Sequence, residues 1–296
     1  MSSLPIAIRK AYLSRKFKRR NRSIFGDMSL TLLLGIFGLF SVWPLIFIIN
    51  NAFKPLNEIF IFPPNLFVQS PTLTNFQDLS IIIGNSWIPM SRYIFNTVFL
   101  TALGTTGSVI IGSMAAFPLA KYTFPGSKTM SKLIVYSLMF NGTVTALPNY
   151  VIMSKLHMID SYWAIIIPSA ASTLGLFLMQ NFMVHIPDAL IEAAKMDGAN
   201  ELTVYWKVMM PLSKSAWITL IIISFQSLWG TTGGGFIYSE KLKPVSYALS
   251  QIINAGVART GVASAVTLIM LIVPVVVFII SQSNVISTMA TSGIKE

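Results

Sequence analysis

Six uninterrupted stretches of this chain contain no Asp, Glu, Lys or Arg: residues 28–53, 93–120, 133–154, 161–187, 215–239 and 260–294. A charged side chain at the centre of a bilayer costs about 2.5–3.5 kcal/mol on insertion scales, so a membrane helix needs such a run. The shortest of the six has 22 residues, and ~20 suffice to cross a hydrocarbon core about 30 Å thick. The predicted fold class is an all-α membrane protein with six transmembrane helices. Composition supports this: 54% of residues are hydrophobic against 10% charged, and the mean hydropathy is +0.69, which describes no water-soluble surface. A seventh charge-free stretch, 59–77, holds Pro63, Pro64 and Pro71 among Asn65, Gln69, Asn75 and Gln77. It cannot satisfy its backbone as a lipid-facing helix and reads as an external loop.

The net charge of +11 raises the question of nucleic acid, and the positions of the basic residues answer it. Eight of the 21 lie from Arg9 to Arg22, directly before the first apolar stretch. The enrichment of Lys and Arg in cytoplasmic segments explains them with no nucleic-acid partner. Residues 1–27 are expected as a basic cytoplasmic arm, 28–284 as the six-helix domain with a cytoplasmic loop at 185–211, and 285–296 as a cytoplasmic tail. The first stretch is too long for the apolar region of a signal peptide and is expected to be an uncleaved helix. With both termini inside, 15 basic residues fall on cytoplasmic segments and 6 on external ones, in the sense that this orientation requires. The absence of cysteine excludes disulfides, thiolate metal sites and a cysteine nucleophile.

Signs of catalysis are weak. His157 and His185 stand near span ends without ligand spacing and read as interfacial residues. Gly126-Ser127-Lys128-Thr129 lacks the glycines of a phosphate-binding loop, so this chain is expected to bind no ATP, cofactor or metal and to catalyse no reaction. Pro44, Pro118, Pro148, Pro168 and Pro274 fall within spans, as do Gly104, Gly107 and Gly112; both residue types are common in membrane helices and read first as packing. The polar run Asn141, Gly142, Thr143 and Thr145 ahead of Pro148 is the best candidate for irregular backbone beside a cavity. Asn141 and Thr143 are accordingly candidate solute-pathway residues. No span carries the Asp, Glu, Lys or Arg that proton coupling commonly uses. A gradient-driven secondary transporter, with sodium held by carbonyls, is the remaining alternative. Otherwise the energy for uphill transport enters from outside the membrane.

The loop between the fourth and fifth stretches has its own punctuation. Pro187 suits the first turn of a helix, Asp188 and Glu192 suit its positive end, and Gly198 suits a left-handed stop. Asn200 then caps a second helix, with Glu201 in its first turn, before Pro211. Ala189, Ala193 and Ala194 leave the first helix slim enough to approach a partner's groove.

This pattern, Glu192-Ala193-Ala194 followed by Asp197-Gly198-Ala199 and then Val208, Met210 and Pro211, resembles the EAA loop of ABC importer permeases. The family usually carries Ile and Leu where Val208 and Met210 stand. Further likeness lies in Phe62-Pro63-Pro64, in Pro71 to Phe76, in Asn96-Thr97, and in Lys121 to Gly126. Together these resemble the smaller, maltose-type permease subunit of the carbohydrate-uptake branch. Leu156 to Met179 and Gly293-Ile294-Lys295 resemble members that handle oligosaccharides or polysaccharides, a polyuronide such as alginate among them.

The resemblance implies a type I importer of the bacterial inner membrane. It implies a second homologous permease, an extracytoplasmic solute-binding protein that delivers carbohydrate, and two ATPase subunits that hold ATP and magnesium. The coupling residues it implies are Glu192, Ala193, Ala194, Asp197, Gly198, Ala199 and Pro211. Gly233, Gly234 and Gly235 depart from the family's usual aromatic-polar segment. Two readings stand for them: a flexible loop without contacts, or a backbone that closely approaches solute or binding protein.

Overall fold

Hydrocarbon offers no hydrogen bonds to an unpaired amide, so a spanning segment is expected to be helical wherever it meets lipid. The computed structural model describes residues 24–84, 88–140, 142–254 and 259–292, and every regular element among them is helical. In chain order these are α1 (Ile24–Phe53), α2 (Leu56–Ile59), α3 (Thr74–Gly84), α4 (Met90–Lys121), α5 (Ser127–Ser137), α6 (Gly142–Lys155), α7 (Trp163–Ala170) and α8 (Thr173–Val184). There follow α9 (Asp188–Met196), α10 (Glu201–Leu212), α11 (Lys214–Trp229), α12 (Val245–Asn254) and α13 (Thr260–Ser292).

Four segments among the described residues are long and apolar enough to cross a membrane: α1, α4, the run Trp163–Val184 formed by α7 and α8, and α13. The pair α10 and α11, bent by 79°, makes a fifth if counted as one span. The other departures from six continuous spans have local causes. The 133–154 stretch is divided between α5 and α6, with Leu138, Met139 and Phe140 in a turn between them. The fifth stretch, 215–239, remains helical only to Trp229, and beyond it Gly233 and Gly234 adopt positive φ of 85° and 51°, so the helix does not resume. Pro148 and Pro168, by contrast, are accommodated inside α6 and α7.

α4 is the axis of the bundle, packed against α7, α8 and α11. Its buried face contains Thr97, Thr101, Gly104, Thr105, Ser108, Gly112, Ser113 and Ala116 at helical spacing. Small and hydroxylated residues suit a membrane interior, where lipid is as apolar as leucine and helices associate by close packing and hydrogen bonds. Ser224 of α11 donates to the Ser108 hydroxyl at 3.2 Å. At Gly104 an added Cβ would lie 2.6 Å from a Leu228 methyl and 2.8 Å from the Ser169 hydroxyl. At Gly175 it would lie 2.8 Å from Leu220. α1 is different: the most apolar 18 residues of this helix are 0% buried.

One end of α1 is closed by a side chain. Asn75 Nδ2 donates to the carbonyls of Ala52 at 2.9 Å and Lys54 at 2.8 Å, satisfying groups that the helix end leaves unpaired. Gly261 on α13 makes room for it, since a Cβ there would stand 2.3 Å from Asn75 Oδ1.

Gly104→Val is expected to lower the thermal stability of the detergent-solubilised protein by about 1–3 kcal/mol through overpacking. Gly38→Ala, where nothing lies within 4 Å of the added Cβ, should not lower the melting temperature, since alanine is the better helix former. Equal melting temperatures for the two variants would contradict the packing assigned to α4.

Candidate functional site

The first site is the elbow formed by α9, α10 and α11. Pro187 precedes α9 with φ −60° and ψ 133°, one residue earlier than the first-turn position expected for it. α9 ends in two paired bonds: Gly198 N–H donates to Lys195 O, and Ala199 N–H to Ala194 O, both at 3.0 Å. This double closure requires the left-handed residue between helices, and Gly198 supplies it with φ +83°. An added Cβ at Gly198 would meet nothing within 4 Å, so its constraint is purely one of backbone. Asn200 caps α10 as expected, its Oδ1 accepting from Thr203 N–H at 2.8 Å.

α10 does not stop at Pro211. Its residues Tyr205–Met209 form one wide turn, with Met210 N–H donating to Tyr205 O. The wider turn lies directly before a residue that has no N–H to offer. The chain then bends at Ser213, and Trp217 Nε1 donates back to Met210 O at 3.0 Å.

The elbow is braced from α4. Lys121 Nζ pairs with Asp188 Oδ1 at 2.8 Å and donates to the carbonyls of Val184 and Ile186 at the end of α8. Tyr122 donates to Glu201 Oε2 at 2.6 Å, Lys195 pairs with Glu201 Oε1 at 2.7 Å, and the Lys195 ammonium lies 4.9 Å from the centre of the Tyr122 ring. Hydrogen bonding to Glu201 and then to Tyr122 holds the Lys195 pKa above its ordinary value. Beneath these contacts Ile191, Val204, Tyr205 and Met209 enter one core with Phe117 and Met183. Tyr205 reaches the Ser113 hydroxyl on α4 at 2.6 Å.

Opposite this braced face, Glu192, Ala193, Asp197 and Gly198 are exposed, and Met196 is 88% exposed. Ala194 and Ala199 are half-buried against the core, and Pro211 is exposed. The elbow thus offers one helix face held from behind with no obstruction in front. The sequence pattern singles out the front; the bracing residues Lys121, Tyr122, Lys195 and Glu201 pair across up to 79 positions, and no local pattern announces them.

The second site lies at the other end of α11. Gly233 is buried, whereas Gly234 and Gly235 are exposed. The segment after them is tied down at both ends. Asp160 N–H donates to Phe236 O at 2.7 Å, and Asp160 Oδ1 accepts from the N–H groups of Tyr238 at 2.9 Å and Ser239 at 2.7 Å. The Ser239 hydroxyl donates to Asp160 Oδ2. Farther along, Asn96 Nδ2 donates to the carbonyls of Lys241 and Lys243 at 2.9 and 2.8 Å, and Tyr162 donates to Asn96 Oδ1 at 2.7 Å. Thr143 is exposed at the start of α6, and Asn141 lies outside the described residues. Sequence reasoning did not select Asp160; its signal is that it separates the third and fourth apolar stretches with few other acids nearby.

Comparison with known proteins places these sites in context. Residues 81–290 match the family described as binding-protein-dependent transport system inner membrane component. The polygalacturonan/rhamnogalacturonan transport system permease protein YtcP of Bacillus subtilis is 30% identical over 237 residues, covering 79% of this chain and 80% of YtcP. The arabinooligosaccharides transport system permease protein AraQ of the same organism is 24% identical, covering 90% of this chain and 95% of AraQ. Among solved structures, a chain of a bacterial ABC transporter involved in the import of the acidic polysaccharide alginate shares the fold. Its TM-score is 0.75 at 24% identity, with 88% of this chain and 96% of that chain covered.

The Asp160 contacts imply a pH dependence. Hydrogen bonds from the Ser239 hydroxyl and then its N–H hold the Asp160 pKa below the ordinary carboxylate value. A depressed folded pKa means that the clamp contributes fully above the unfolded value, about 3.9, and is lost as pH falls through the folded value. Amide exchange at Tyr238 and Ser239, corrected for intrinsic rates, is expected to stay slow from about pH 8 down to about pH 4 and to accelerate only at lower pH. Asp160→Ala should be fast throughout; slow exchange in that variant would remove the clamp.

Proposed function

Because the chain belongs to the binding-protein-dependent transport system inner membrane component family, we propose that it forms, with a second permease, the saccharide pathway of an ATP-driven importer. Membership makes it a membrane permease subunit of an ABC importer. The named relatives are permease proteins of polygalacturonan/rhamnogalacturonan and arabinooligosaccharide transport systems, and the fold is shared with a chain of an alginate importer. This supports an oligosaccharide or polysaccharide as the solute, a polyuronide among the candidates.

In this reading α5 and α6 make one broken span, and α10 with α11 makes another, giving six spans with both termini in the cytoplasm. The elbow is then cytoplasmic, and the 233–245 segment faces the side from which solute arrives. Two ATPase subunits hold ATP and magnesium, and this chain binds neither. The second permease covers surfaces this chain leaves open, such as the exposed α1. A groove of about 710 Å³ between α4, α11 and α13 is a further such surface, lined by Thr105, Trp217, Phe225 and Trp229 among others. Chemistry occurs on the ATPases, and this chain converts their movement into alternating access.

The observation that carries the reading is the exposed α9 face with rigid bracing behind it. A docking helix transmits displacement only if it cannot yield toward its own domain. Lys121 ties α9 to α4 and α8 at once, so displacement of Glu192 and its neighbours passes into the bundle axis.

Reconstitution with the second permease, ATPase and solute-binding protein tests this. In Gly198→Val a β-branched residue must hold φ +83°, costing about 1–3 kcal/mol. Membrane abundance should persist while binding-protein-stimulated ATP hydrolysis and uptake fall together. Glu192→Ala should lower stimulated hydrolysis less, by about tenfold at most. Normal stimulation in Gly198→Val would refute the coupling role of the elbow.

A further inference from the structure

The loop after α11 carries an arrangement that transport coupling does not use. Tyr238 is 60% exposed, and its hydroxyl lies 3.1 Å from that of Tyr150 on α6. The Phe236 ring stands 6.2 Å from Tyr150, tilted by 40°. Building on the saccharide-importer reading above, we propose that Tyr150 and Tyr238, backed by Phe236, form a stacking subsite for a sugar ring at the outer mouth of the pathway.

Exposed aromatics in a membrane protein usually belong to the interfacial belt, where single rings point to headgroups. This pair differs in two respects. Its members come from separate elements and meet each other. One of them lies on non-helical backbone whose N–H groups Asp160 holds in place.

The loop is also held to an unusual degree. Asp160 orders the backbone of Phe236, Tyr238 and Ser239, yet Asp160 sits at φ +63° and His157 at φ +54°. Two non-glycine residues in the left-handed region within four positions are costly, and such strain persists where the surroundings over-determine it. Here it puts the Asp160 carboxylate against the loop that presents Tyr238.

The chemistry matches a saccharide. A sugar ring has an apolar C–H face that packs on an aromatic ring and a rim of hydroxyls that needs donors and acceptors. When one tyrosine hydroxyl donates to the other, the pair still presents one free proton and free lone pairs. At neutral pH both hydroxyls carry their protons, as tyrosines ordinarily do. Tyr150 is half-buried and five residues before the end of α6, about 7.5 Å below it at 1.5 Å per residue. A threaded saccharide reaches that depth more readily than the surface of a docked protein does.

The test uses the complete reconstituted importer, with an oligogalacturonide and an arabino-oligosaccharide as probes loaded on its solute-binding protein. Saccharide imported per ATP hydrolysed should fall about tenfold in Tyr238→Ala and in the same direction in Tyr150→Ala. The half-saturating concentration of loaded binding protein should not move. Tyr238→Trp, which keeps an aromatic face, should recover most of the coupling ratio.

A raised half-saturating concentration at normal coupling would assign the pair to binding-protein docking and overturn the subsite. So would loss of assembled complex that Tyr238→Trp leaves unrepaired, which would mark a structural role. Wild-type import with an unchanged Tyr238→Ala sinks the subsite alone. A wild-type complex hydrolysing ATP while importing neither probe sinks the saccharide reading, and the subsite with it.

Discussion

Where this chain leaves the helix, backbone carbonyls lose their intrahelical partners, and hydrocarbon supplies none. The fold depends on side chains that donate to them from elsewhere. Asn75 closes the end of α1, Trp217 closes the bend after α10, and Lys121 closes the end of α8. Trp229 Nε1 reaches Met270 O at 3.2 Å, and Ser246 donates to Trp229 O at 2.9 Å, where α11 gives way to loop. Gln180 joins α8 to α5 through the Ser131 hydroxyl at 2.9 Å. These donors do two things at once: they permit irregular backbone, and they fix which helices lie together.

The two candidate regions sit at opposite ends of α4 for the same reason. Near its start, Asn96 and Thr97 hold the segment from Lys241 to Val245. At its end, Lys121 and the following Tyr122 hold the elbow. Between them the buried face of α4 is made of glycine, serine, threonine and alanine with few large side chains. Neighbouring helices therefore approach closely along its length, and the two ends share one stiff element.

Much of this was legible in the sequence because it is local. Charge-free runs predict membrane helices from the cost of burying charge. Gly198 and Asn200 predict a stop and a start from backbone conformation and side-chain reach, and both are found in those roles. The breaks were less legible. Pro148 and Pro168 read first as packing and do lie inside helices. The division between Ser137 and Gly142 falls beside the polar run singled out ahead of Pro148, but the 79° bend at Ser213 had no such signal. Whether a helix end is tolerated depends on a donor distant in sequence, such as Asn75 for the carbonyls of Ala52 and Lys54. Asp160 was missed on the same ground, since its partners are 78 and 79 residues away. Asn141, selected for its polarity, lies outside the described residues.

The bend at Ser213 sets a mechanical ratio. α10 has 12 residues and extends roughly 18 Å from that bend at 1.5 Å per residue. A rotation of about 5° at its root carries its far end through about 1.6 Å, the scale of helix shifts that switch packed interfaces. Because α10 is a helix with one wide turn rather than a coil, its length hardly changes under such a load. In the coupling role proposed for the elbow, α10 and the α4 end braced to it turn as one crank, and the position of Ser213 sets its throw.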